Sequence, residues 1–71
     1  MEIKVQYTTL VTKTVNIQVS DKFNNLPNLF NEGSEKWNKL SDELVEKVYA
    51  KLPEDADIVK IFDAETNEMI Y

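Results

Sequence analysis

Through Val19 the apolar side chains keep to one phase of the chain. The odd positions read Met1, Ile3, Val5, Tyr7, Thr9, Val11, Lys13, Val15, Ile17 and Val19, and every even position is polar except Leu10. A period of two means extended chain with one face toward a core. The run is too long for one strand, so it must fold back on itself as a β-hairpin. Odd residues face inward on both arms, so opposed positions sum to an even number and the loop holds an odd number of residues. Pairing Tyr7 with Val15, Val5 with Ile17 and Ile3 with Val19 centres the turn on Val11. Three-residue loops favour Gly or Asn in a left-handed position, and this stretch has neither. A five-residue loop from Thr9 to Lys13 is therefore expected.

The period then changes. Residues 20–33, SDKFNNLPNLFNEG, carry Phe23, Leu26, Leu29 and Phe30 among asparagines. Pro27 suits the first turn of a short helix and Gly33 its left-handed close, so the segment reads either as a helical turn over 26–32 or as an irregular loop pinned by its aromatic residues. Beyond Ser34 the apolar residues Trp37, Leu40, Leu44, Val45, Val48 and Leu52 form one helical stripe. This predicts a long amphipathic helix over 35–52, with Ser34 as N-cap and Pro53 ending it. A competing start lies at Ser41, where Asp42 and Glu43 would meet the positive end of the dipole and Leu40 and Val45 would form a hydrophobic staple. The closing stretch predicts a second hairpin. Asp57–Phe62 is its first strand, Ala64–Asn67 the loop with Asn67 at positive φ, and Glu68–Tyr71 the return, which pairs Phe62 with Met69 and Ile61 with Ile70.

The fold class expected is α+β, a single domain with a four-stranded sheet and one helix across a face. The element order resembles the β-grasp arrangement, which implies a mixed sheet whose first and last strands lie side by side. The alternative sets the second hairpin antiparallel beside the first. Either way the segment 57–62 poses a problem, because in a regular strand Ile58 and Phe62 point one way while Val59 and Ile61 point the other. One set needs cover besides the helix. The aromatic segment 22–32 is the nearest candidate within the chain, and a second subunit is the other. Large apolar patches are uncommon on monomers, so a monomer covered from within is expected, with a homodimer as the alternative.

Composition narrows the chemistry. The chain has no cysteine and no histidine, which removes disulfides, Cys/His zinc sites, thiol nucleophiles and imidazole acid–base catalysis. No apolar run approaches the ~18 residues of a membrane span, and the opening MEIKVQYTT lacks the form of a signal peptide. A cytoplasmic protein is the expectation. The net charge of −5 is uneven: residues 1–40 hold five lysines and four acids, residues 41–71 three lysines and nine acids, and arginine is absent. Direct binding to nucleic acid needs cations against phosphate, so it is not expected.

Glu54, Asp55, Asp57, Asp63 and Glu65 cluster near two turns, but without the D-x-D-x-D-G loop of a calcium site they read as solvated turn residues. A carboxylate pair working as acid and base needs burial in a cleft, for which a chain of this length has little room. No catalytic residue, metal or cofactor is assigned. Trp37, Phe23 and Phe30 lie where a small core needs them, ahead of a role as binding anchors. Two surfaces remain as candidates for a protein partner. One is the hairpin tip, Leu10 and Val11, since a turn gains nothing from displaying two aliphatics, and contact with a partner or with residues 20–32 would explain them. The other is the acidic surface of Asp42, Glu43 and Glu46 continuing into Glu54, Asp55 and Asp57, which suits a basic partner. The expected function is a non-catalytic protein-interaction or regulatory module. The alternative is a DNA-mimicking inhibitor of a nucleic-acid enzyme, although Lys47 and Lys51 interrupt the acidic row and Glu43–Lys47 has ordinary helix-pair spacing.

Overall fold

A computed structural model describes residues 1–33 and 35–71. Ser34, expected as the N-cap of the long helix, lies outside the described residues. The order is β1 (Glu2–Thr8), β2 (Thr12–Gln18), a 3-10 turn (Asp21–Phe23), α1 (Leu26–Glu32), α2 (Glu35–Tyr49) and β3 (Asp57–Asp63). The class is α+β, as expected. The sheet differs from the expectation: among the described residues it has three strands in the order β2-β1-β3, and both pairings are antiparallel. The mixed β-grasp sheet is therefore not formed, and β3 lies antiparallel beside β1.

In the first hairpin Ile3 pairs with Ile17, Val5 with Val15 and Tyr7 with Lys13. The opposed positions sum to an even number and the odd face is kept, but the register sits two residues from the one expected. The loop is Thr9–Val11, three residues instead of five. It closes with the Thr9 N–H donating to the Val11 carbonyl at 3.0 Å. Its residues all keep negative φ, because the positive-φ positions among the described residues are Gly33 and Asn67. The missing glycine was therefore no obstacle.

The short helix falls where Pro27 and Gly33 place it. Pro27 occupies the first turn, and Gly33 closes the helix at φ 66° and ψ 30° with its N–H on the Leu29 and Phe30 carbonyls. The 3-10 turn before it, which the pattern did not suggest, buries Phe23 and is capped by Ser20, whose hydroxyl accepts from the Lys22 N–H at 3.3 Å. α2 runs unbroken through Ser41, so the competing start there is not used. It ends at Tyr49, three residues short of the expected Leu52, and residues 50–52 tighten into turns through Lys51 N–H to Val48 and Leu52 N–H to Tyr49. Ser41 is buried in the middle of the stripe, its hydroxyl donating to the Asn38 carbonyl at 3.2 Å.

One core results. Ile3, Val5, Tyr7 and Ile17 from the first hairpin meet Phe23, Leu26, Leu44, Val48, Ala56, Ile61 and Ile70. Segment 22–32 thus joins the core beneath α2 and does not cover the opposite face of the sheet. The problem posed by residues 57–62 is solved differently. Val5 pairs with Ile61 and Gln6 with Lys60, but Tyr7 pairs with Ile58, which leaves Val59 without a partner. Such a β-bulge shifts the phase of the strand by one residue. Ile61 is wholly buried, Ile58 packs against the same core, and Val59 is 43% exposed. Only Phe62, opposite Lys4, keeps to the outer face.

The second hairpin survives as a fragment. Phe62 and Met69 form an isolated bridge at the expected pairing, and Ile70 donates to the Ile61 carbonyl at 2.8 Å. Asn67 takes the expected positive φ, 62°. Residues 68–71 do not make a fourth strand, however. Ile70 is drawn into the core, and its carbonyl accepts from the Trp37 indole at 2.8 Å. Tyr71 stacks on that indole with ring centroids 6.0 Å apart, and Phe30 meets it edge-on at 5.7 Å. Backbone hydrogen bonds to Ile61 and Asp63 of β3 and the contacts with Trp37 together hold this segment, without a continuous ladder.

Candidate functional site

The hairpin tip stands clear of the molecule. Leu10 is 98% exposed and Val11 59% exposed. Because Thr8 pairs with both Thr12 and Asp57, the tip and the start of β3 share one end of the sheet. Asp57 and the exposed Glu54 and Asp55 before it therefore lie at the same pole as the tip. Tyr49 is close by, its hydroxyl accepting from the Ile58 N–H at 3.3 Å, and it is one of the exposed large side chains of the chain. The tip and the acids are distant in sequence, and strand register brings Asp57, with Glu54 and Asp55 just before it, to the end of the sheet that carries the tip.

The helix acids divide. Asp42 and Glu46 are exposed along α2. Glu43 is half-buried and pairs with Lys22 of the 3-10 turn, whose ammonium lies over the Phe23 ring. That hydrogen bond holds the Glu43 carboxyl below the usual glutamate range, with burial opposing it and the charges of Lys22 and Lys47 assisting. Glu43 thus serves to clip the turn to the helix.

Two concavities flank the sheet. A cleft of about 360 Å³ is lined by Met1, Glu2, Asp21, Asn24, Asp63 and Glu65. Asp63 is already engaged there, accepting from the Glu65 N–H at 2.8 Å. Among the described residues no three carboxylates are grouped so as to hold a metal ion. The second concavity, about 370 Å³, runs between the end of β2 and the end of α2, lined by Gln18, Val19, Ser20, Lys47, Ala50 and Lys51. Nothing in the sequence marked it, since its two walls are about thirty residues apart in the chain.

The edges of the sheet are unequal. In an antiparallel pair, opposed residues alternate between exchanging hydrogen bonds and not. Val19 and Met1 exchange them, at 2.9 and 3.0 Å, so the bonded pairs of β1 and β2 are the odd ones. The N–H and C=O groups of Thr12, Thr14, Asn16 and Gln18 consequently point away from β1 to the open edge. The far edge of β3 is covered instead: Ile61 and Asp63 donate to the Tyr71 and Glu68 carbonyls at 3.1 and 2.9 Å, and the bulge at Val59 distorts the rest. β2 has no proline, glycine or bulge, and its single charge is Lys13.

Among the described residues no helix is long and apolar enough to cross a membrane. No protein-family model, curated protein or solved structure matches this chain.

Proposed function

We propose that this chain is a non-catalytic interaction module that engages a basic protein through the pole formed by Leu10, Glu54, Asp55 and Asp57. The observation that carries the reading is the near-complete exposure of Leu10 beside those acids. A large aliphatic side chain in water at a turn contributes nothing to folding, whereas in a partner's apolar socket it becomes an anchor with charged residues at its rim. Phosphate mimicry along α2 has less support, because Glu43 is tied to Lys22 and Lys47 and Lys51 break the row.

The test is affinity capture by the full chain from extracts of its source cells at low and moderate salt. A partner is expected that is retained by the wild type, lost with Leu10→Ser, and weakened by the double change Asp55→Asn, Asp57→Asn. Salt should weaken it too, since rim charges are screened. Retention indifferent to all three changes, or no retained protein, would overturn the reading.

A further inference from the structure

We propose that two copies of this chain join through antiparallel pairing of β2 with β2, Val11 of each copy seating in the Gln18–Lys51 groove of the other. This goes beyond the proposed partner at the acidic pole and uses a different surface.

The argument begins at the open edge. Unpaired strand edges are usually blunted by charge, proline, bulges or a covering segment. β3 has both a bulge and a covering segment, and β2 has only Lys13. Thr12, Thr14, Asn16 and Gln18 present their free backbone groups along it. Only even residues carry those groups, so a second β2 must set even against even. One two-fold register matches all four residues: Thr12 with Gln18, Thr14 with Asn16, and the reverse, with Val15 facing Val15 on the axis. Even-to-even pairing also keeps the apolar faces of both sheets on the same side. Lys13 stands opposite Ile17 of the other copy, so no like charges are directly opposed.

The same register carries past the strand ends. Val11 falls opposite Val19 of the second copy, at the groove that Val19 shares with Ala50 and the stems of Lys47 and Lys51. An exposed aliphatic, an open edge and a groove far apart in the chain are thus satisfied by a single symmetry operation, as an isologous interface requires. Leu10, in the opposite phase, stays outside the groove and is left to the acidic pole.

Charge sets the salt dependence. Each copy carries −5, and Lys13 of one copy approaches Lys47 and Lys51 of the other. Both effects are repulsive and both are screened by salt. Self-pairing should therefore tighten as salt rises, whereas the basic partner of the preceding section should loosen.

Sedimentation equilibrium on the full chain over a dilution series, at low and high salt, is the test. The expected result is a mass approaching twice 8.3 kDa at the concentrated end, more so at high salt. Thr14→Pro removes an N–H that faces only the open edge, so it should give a monomer with unchanged circular dichroism. Val11→Lys, at an exposed tip where folding is not at stake, should weaken the dimer on the order of tenfold or more. It decides the matter should the proline variant fail to fold. A monomer at every concentration, or a dimer indifferent to Val11→Lys, overturns the proposal. So does a monomer whose β2 edge takes up an acidic extended peptide instead. None of these outcomes touches the acidic-pole reading, which Leu10→Ser tests separately.

Discussion

Trp37 ties the end of the chain to the two helices. Its ring is flanked by Phe30 and Tyr71, and its N–H is spent on the Ile70 carbonyl. Trp37→Phe keeps most of the apolar body and removes that donor from a part-buried acceptor. A loss of about 1–3 kcal/mol in urea unfolding is expected, with residues 68–71 the first to lose amide protection. Gly33 shows the opposite kind of dependence. Space is open around it, so Gly33→Ala meets no atom and is opposed only by its φ of 66°. The expected cost is about 1 kcal/mol, and less for Gly33→Asn, which tolerates that conformation. Glu43 contributes a pH dependence. Lys22 lowers its folded pKa below the unfolded value. The stability it adds is complete above the unfolded value and disappears as pH falls through the folded one. In Lys22→Met the Glu43 carboxyl should titrate at higher pH by NMR than in the wild type, and the acid limb of the stability curve should flatten.

The bulge in β3 matters most among the elements. In a regular strand Val59 and Ile61 would share a face and respond alike to truncation. With Val59 as the extra residue they part company. Ile61→Ala should cost about 2–5 kcal/mol as a core deletion, while Val59→Ala should fall within about 0.5 kcal/mol, as for surface sites. Equal losses in chemical denaturation would mean that the strand is regular after all. The alternating pattern of apolar and polar residues announced the first hairpin and the parity of its loop. It did not set the register, because a shift of two residues preserves every inward side chain. Likewise the helical stripe placed α2 but passed over Ser41. Its burial depends on what packs against the helix, and a polar residue at that position gives no sign of it.

At the scale of the whole molecule the edges of the sheet govern behaviour. If β2 pairs with its own copy, folding and association are linked, and the thermal midpoint should rise with protein concentration for the wild type but not for Thr14→Pro. Charge works against association, because the acids of residues 41–71 are not offset by the lysines of residues 1–40. The two proposed contacts divide the tip, since Val11 turns with the β2 edge toward the second copy while Leu10, in the opposite phase, is left to the acidic pole.

The first hairpin, the long helix, the strand that follows it and the Phe62–Met69 contact were legible in the linear chain. Each rests on neighbours a few residues apart, where backbone geometry and side-chain alternation leave few choices. What lay beyond its reach depends on partners distant in sequence. These are the register of β1 with β2, the place of β3 beside β1, the phase change at Val59, the capture of Ile70 beneath Trp37 and the groove between β2 and α2. In each case several local arrangements are nearly equal in energy, and the choice among them is made by the one core they must jointly fill.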